Sequence, residues 1–214
     1  MSILDLDRLR AQPLCREPFD FVIVENFFCA DRLPAVLADF PDISRHGSFP
    51  LASLSSGPAV MALAEELEGE ALRSEIEAKF TIDLRDRPTM ITVRGRSDDK
   101  DGRIHTDSAS KLITLLIYLN QGWDSGVGRL RLLRRPDDLD DYVAEIPPVA
   151  GMMVAFRRGE NSFHGHYPHR GERRSVQLNW VTDARVVQRE LGRHAWSARL
   201  KSLNPFGRGE RVAL

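Results

Sequence analysis

The segment GRIHTDSASKLITLLIYLN spans residues 102–120. Its second half, 111–120, is a nearly continuous apolar run, as expected of a strand buried on both faces. Its first half places an imidazole and a carboxylate, His105 and Asp107, two residues apart at the mouth of that strand. Polar chemistry beside a core strand is costly unless the groups bind something. Residues two apart on a strand share a face, so His105 and Asp107 can converge on one point.

Reading outward, several short strands follow a common pattern. TMITVRGR (89–96) and GRLRLLRR (128–135) alternate, and GMMVAFRR (151–158) and RSVQLNWV (174–181) complete the set. Gly- and Pro-containing turns separate them. Strands of this length and spacing predict a barrel or a double-sheet jelly roll. Upstream, Phe21–Val24 reads as a strand and 30–41 as a short helix with Asp31 as its N-cap. The segment 44–58 reads as a Ser/Gly/Pro-rich loop. Residues 58–80 have helical spacing, with Pro58 in the first turn and Gly69 dividing the stretch into two helices. The tail 183–203 reads as a C-terminal helix. The expected fold class is α+β: a jelly-roll core (89–182) with N-terminal helices (1–88) on one face and a C-terminal helix and tail (183–214), all in one domain.

Bulk composition narrows the function. The 214 residues carry a net charge of −1, which argues against a nucleic-acid binder relying on bulk positive charge. Two cysteines, Cys15 and Cys29, are too few for a disulfide framework or a structural zinc site. No signal-peptide core and no run of ~18 apolar residues occurs. A soluble cytoplasmic protein without a nucleic-acid or membrane partner is the expectation, with the oligomeric state open.

Four of the six histidines fall in the β-half: His105, then His164, His166 and His169. Two histidines and one carboxylate on one face of a metal form the facial triad of non-haem Fe(II) oxygenases, which leaves three coordination sites open. Alone, a His-x-Asp pair is as readily a hydrogen-bonded strand end, and FHGH (163–166) a polar strand end. Their shared context separates the readings. In order, the chain presents HTD (105–107), LITLLIYLN (112–120), GVGRLRLL (126–133), IPPVAGMMVAFRR (146–158), SFHGHYP (162–168) and GERRSVQLNW (171–180). That ordered set resembles the 2-oxoglutarate- and Fe(II)-dependent oxygenase superfamily in its prolyl-4-hydroxylase-like branch, over roughly residues 89–181.

The resemblance implies iron ligands His105, Asp107 and His164, the last flanked by Phe156 and Pro168 at the family's intervals. His166 shares the strand face and is the rival, or else touches substrate. The resemblance further implies Fe(II) and 2-oxoglutarate as cofactor and co-substrate and O2 as oxidant. The substrate, a small molecule or protein side chain, is unidentified and is hydroxylated with release of succinate and CO2. Retention of Asp107 favours hydroxylation over halogenation.

The far carboxylate of 2-oxoglutarate calls for a buried guanidinium fork. Arg174, Val176, Leu178 and Trp180 share one strand face, and Arg173, Ser175, Gln177 and Asn179 the other. The first face is apolar and is expected to meet the core, so Arg174 is the expected anchor, Arg173 remaining the alternative. Tyr118 is expected to add a hydroxyl to the same carboxylate, and Thr92 and Arg94 to line the pocket. The acids of SDDKDG (97–102) and RPDDLDDY (135–142) read as solvated turns, the former also as a lid. Two other classes use similar residues. A cupin-like metal- or ligand-binding module needs no co-substrate anchor, and a zinc hydrolase needs a general base beside the triad.

Overall fold

In a computed structural model of the protein, the described residues are 2–189. Helix α1 (Leu6–Ala11) precedes β1 (Phe21–Val24), α2 (Leu33–Ala38), β2 (Phe49–Pro50), α3 (Pro58–Glu68) and α4 (Glu70–Phe80). The strand-rich part follows: β3 (Thr89–Ser97), β4 (Lys111–Tyr118), β5 (Leu130–Leu133), β6 (Tyr142–Ile146), β7 (Met153–Arg157), β8 (His164–Gly165) and β9 (Gly171–Val181). Residues 184–189 are helical, and the rest of the expected C-terminal helix lies outside the described residues.

The strands form two sheets. The larger has the order β1-β7-β4-β9-β3-β2, with every pairing antiparallel. The smaller has the order β6-β5-β8, also antiparallel. Long β4 sits in the middle of the large sheet because its side chains are apolar to both sides. Ile113, Leu115 and Ile117 face the helices, and Leu116 and Tyr118 face the small sheet. The helices supply matching apolar stripes. In α3 these are Val60, Leu63, Ala64 and Leu67, and in α4 Leu72, Ile76 and Phe80, at the three- and four-residue spacing of one helical face. Val176, Leu178 and Trp180 of β9 belong to this helix-facing core. A second core lies between the sheets, with Phe156 and Val154 meeting Leu130, Leu132 and Ile146. The order is therefore helices, large sheet, small sheet, an α+β arrangement of antiparallel sheets.

Several local expectations change. Asp31 does not cap α2: the helix begins after Arg32 and has no side-chain cap bond. Pro34 sets its first turn instead, since a proline there needs no donor. Helix α1, unassigned from sequence, is too short to show periodicity, and the Asp5 carboxylate accepts from the Arg8 amide to start it. The 44–58 loop contains β2, which pairs with Val93 and Thr92 of β3. Tyr142, at the end of the acidic RPDDLDDY stretch, opens β6.

Candidate active site

The antiparallel register across β4, β9 and β3 sets three rows of side chains facing the small sheet. Tyr118, Ser175 and Arg94 form one row, Leu116, Gln177 and Thr92 the next, and Thr114, Asn179 and Met90 the third. All nine line a cavity of about 280 Å³. Loop residues Ser48, Asp101 and Gly102 also line it, as do His105, Asp107, His164 and His166.

His105 and His164 lie directly opposite each other on an antiparallel bridge. Each amide donates to the other's carbonyl at 3.0 Å. Opposed residues on such a bridge project to the same side, and the two ring centroids are 4.3 Å apart. In each ring Nδ1 faces a carbonyl oxygen, that of Arg103 at 2.8 Å and that of Ser162 at 3.0 Å. A carbonyl only accepts, so Nδ1 carries the proton and Nε2 keeps its lone pair for a metal. Asp107 completes the group: one ligand atom from each of His105, Asp107 and His164 lies within 4.8 Å of the other two. Among the described residues, this is the cluster of its kind.

The Asp107 carboxylate is buried and held from two sides. Lys111 Nζ donates to one oxygen at 2.7 Å and the Thr114 hydroxyl to the other. Thr114 in turn accepts from Asn179 Nδ2 at 2.7 Å, and Gln177 Nε2 donates to Asn179 Oδ1 at 2.8 Å. Burial pushes the Asp107 carboxyl up, but the charges of Lys111 and His164 and the donated bonds outweigh it and hold it below the usual range. It is therefore a carboxylate at neutral pH. A carboxylate oxygen beside two imidazoles is a donor set that suits Fe(II).

His166 does not join this group. Its amide donates to the Gly102 carbonyl at 2.8 Å and its Nδ1 bonds the Tyr167 carbonyl at 2.9 Å. It lines the cavity beyond the cluster, so the structure separates the two rival histidines. Gly102 permits this packing: it has φ +96°, and a Cβ there would overlap the His166 carbonyl and ring.

The arginine doublet is placed opposite to expectation. Arg173 is 4% exposed and lines the cavity. Its Nε donates to the Gly128 carbonyl at 3.0 Å and its Nη2 to the Tyr118 hydroxyl at 3.1 Å. The Arg174 side chain keeps 34% of its surface in solvent. It pairs with Glu172 at 3.2 Å and lies over the Phe40 ring, on the other face of the sheet. The face alternation read from the sequence is correct, but the large sheet is buried on both sides. The apolar face of β9 meets the helices, and its polar face, with Arg173, Ser175, Gln177 and Asn179, lines the cavity. Tyr118 is fully buried; that burial raises its hydroxyl pKa, against the opposing effect of Arg173.

Lys111, Thr114, Asn179 and Gln177 carry the carboxylate and were not singled out from sequence. Two signals point to them. Thr114 is the polar residue inside an otherwise apolar strand, and Gln177 and Asn179 alternate with the apolar set of β9.

Burial depresses both His164 and His166 to about 4, in His164 against the attraction of Asp107 and in His166 with help from Arg173. A histidine with a depressed folded pKa binds fewer protons folded than unfolded between about pH 6.5 and 4. Its contribution to stability is full above that window and is lost as pH falls through it. Chelator-stripped protein is therefore expected to lose about 1–2 kcal/mol per histidine between pH 7.5 and pH 5. Urea unfolding at the two pH values measures this, and His166→Gln is expected to remove about half of the loss.

Comparison with known proteins agrees with this geometry. Residues 94–182 match the family model described as 2OG-Fe(II) oxygenase superfamily. A comparison with curated proteins finds no match. Among solved structures, the chain is similar to a Pseudomonas putida prolyl-4-hydroxylase, with a TM-score of 0.54 at 20% identity over 83% of this chain and 93% of that one. It is similar to a prolyl 4-hydroxylase of Phytophthora capsici, with a TM-score of 0.51 at 18% identity over 86% and 68% of the two chains. It is also similar to HygX from Streptomyces hygroscopicus, solved with nickel and 2-oxoglutarate bound, with a TM-score of 0.52 at 11% identity over 77% and 82%. No helix among the described residues is long and apolar enough to cross a membrane. The segment matched by that family model contains the two histidines and the aspartate that converge between the antiparallel sheets, and the solved structures similar to this chain share its fold.

Proposed function

We propose that His105, Asp107 and His164 hold the iron, and that Arg173 with Tyr118 binds the far carboxylate of 2-oxoglutarate. In this reading the two sheets are the walls of a double-stranded β-helix, and the chain is one oxygenase domain that hydroxylates a substrate with release of succinate and CO2. The observation that carries it is the opposed His105–His164 pair with Asp107 beside it. Three protein ligands leave coordination sites for a chelating ketoacid and for oxygen. When bound, the iron supplies the oxygen activation and C–H oxidation that amino-acid side chains lack.

The protein's own part is binding and placement. The Nδ1–carbonyl bonds fix both imidazole tautomers and aim Nε2 inward. Lys111 and Thr114 fix the carboxylate. Arg173 lies two residues before Ser175 on β9, beyond the Tyr118–Ser175 row, and bonds the Tyr118 hydroxyl, so a ketoacid held near Asp107 runs along β4 over Leu116 toward the guanidinium. The apolar Leu116, Leu130 and Phe156 keep that path dry, which strengthens the ionic grip at its end. A cupin-like module has no use for a buried guanidinium aimed into the same cavity. A zinc hydrolase would need a general base beside the cluster, and the carboxylates lining the cavity, Asp101 and Asp107, are both ion-paired.

The test is spectroscopic and chemical. Anaerobic protein with Fe(II) and 2-oxoglutarate is expected to develop a weak visible charge-transfer band that needs both components. Admission of oxygen is expected to convert 2-oxoglutarate to succinate. Absence of the band at saturating Fe(II) and 2-oxoglutarate overturns the reading.

A further inference from the structure

Arg94 is the cavity's third cation, after Lys111 and Arg173. Lys111 is bonded to Asp107 and Arg173 to Tyr118 and Gly128. Arg94 is at the head of the β3 column, in the same row as Tyr118 but two strands away across Ser175. Neighbouring strands are ~4.8 Å apart, so the β3 and β4 columns are separated by roughly 10 Å. That is room for two small ligands side by side, one along each column. From Arg94 the β3 column passes Thr92 and Met90, which share rows with Gln177 and Asn179. A molecule held at Arg94 therefore points its other end toward the Thr114–Asn179 row, where the metal cluster lies.

The partners of Arg94 leave capacity. Its Nη1 pairs with Asp101 at 2.8 Å and its Nη2 donates to Ser48 Oγ at 3.3 Å. A guanidinium has five N–H donors and can hold two acceptors in its fork. Both partners come from loops rather than from the sheet. Charge makes a second demand. The lysine and arginines lining the cavity number three and its carboxylates two, Asp101 and Asp107. Iron(II) and the 2-oxoglutarate dianion cancel each other, so the loaded cavity keeps one positive charge. A partly enclosed charge without a counterion is unfavourable, and a ligand that neutralises it binds better than an isosteric neutral one.

Resting on the preceding reading of the iron and 2-oxoglutarate sites, we propose that Arg94 is the substrate anchor and that the substrate is a small organic anion whose carboxylate or phosphate has no compensating ammonium. The cavity of about 280 Å³, shared with 2-oxoglutarate, suits a small molecule. Thr92 and Gln177, between anchor and metal, offer neutral hydrogen bonds to the body of that molecule.

The test uses the full chain with Fe(II) and saturating 1-labelled 2-oxoglutarate. A cell extract is divided into macromolecules, small molecules retained on an anion exchanger at pH 7, and small molecules that pass through. The anionic pool is expected to raise labelled CO2 release at least fivefold over the uncoupled rate. Arg94→Gln is expected to lose that stimulation by at least tenfold while keeping the anaerobic charge-transfer band, and Arg94→Lys to recover part of it. Stimulation by the unretained or macromolecular pool alone, or by no pool, overturns the proposal, as does full stimulation in Arg94→Gln. The pool comparison on the unsubstituted protein stands whatever the variants do. A missing band in the unsubstituted protein instead sinks the iron and 2-oxoglutarate reading, so the two failures are distinct.

Discussion

Replacement of Asp107 by alanine is expected to abolish detectable 2-oxoglutarate turnover and to weaken Fe(II), Mn(II) or Co(II) binding by on the order of 10³-fold. Outer partners of a metal ligand typically contribute 10–100-fold, so loss of a ligand itself exceeds that. In this protein the loss is compounded by Lys111. Its ammonium lies 2.7 Å from the Asp107 carboxylate, and its side chain is only 17% exposed. Without the carboxylate, a half-enclosed cation faces two imidazoles and repels any divalent ion placed there. Metal-free Asp107→Ala is therefore also expected to be less stable, since breaking a buried ion pair costs about 3–5 kcal/mol and partial exposure reduces this. Thr114→Val, which removes one hydrogen bond to the same carboxylate, is expected to weaken metal binding only about tenfold. Titration of the chelator-stripped variants with Co(II), followed by its visible absorption, gives the ordering. A wild-type affinity in Asp107→Ala removes this carboxylate from the metal site.

The arginine doublet offers the second large effect. Arg173→Gln is expected to raise the dissociation constant for 2-oxoglutarate by about 10²–10³-fold, because a buried charge-assisted contact with a carboxylate is lost at a cost of about 2–5 kcal/mol. Arg174→Gln, one residue along the chain, is expected to change it less than about twofold. The Arg174 guanidinium pairs with Glu172 and covers Phe40 on the opposite face of the sheet, where an exposed pair contributes about 0–1 kcal/mol. Tyr118→Phe is expected to fall between them, at about five- to tenfold. It removes one neutral hydroxyl and the acceptor for Arg173 Nη2. Titration of the charge-transfer band with 2-oxoglutarate measures all three. Equal effects from Arg173→Gln and Arg174→Gln would show that the anchor is not the buried member of the pair.

The two ends of the cavity are built differently. The metal cluster draws on a loop, 105–107, and on the two-residue strand β8. The buried Arg173–Tyr118 pair draws on β9 and β4, in the centre of the large sheet. The long sheet strands give the cavity a fixed wall. The loop carrying His105 and Asp107 is tied to the large sheet by Lys111 and Thr114, and to the segment after β8 by the hydrogen bond from the His166 amide to the Gly102 carbonyl. Precise ligand geometry from a loop needs such ties, since loops are otherwise the more mobile parts of a fold.

Much of this was legible in the amino-acid order. Local composition and spacing placed β1, β3, β4, β7 and the α3–α4 pair broken at Gly69, because apolar runs, alternation and helical spacing are local properties of the chain. The HTD and FHGH segments, and the order of motifs around them, marked His105, Asp107 and His164, which the fold brings together. Long-range pairing decided the rest. Only the antiparallel bridge between residues 105 and 164 shows which histidine of FHGH meets His105. His164 and His166 share a face when extended, and sequence spacing does not separate them. Only the layering shows which arginine is buried. The apolar side of β9 and its polar side are both enclosed, one by helices and one by the opposing sheet around a polar cavity. A rule that sends the apolar face inward chooses correctly between core and solvent, but it does not distinguish two interiors of different polarity, and that distinction placed Arg173 rather than Arg174 in the cavity.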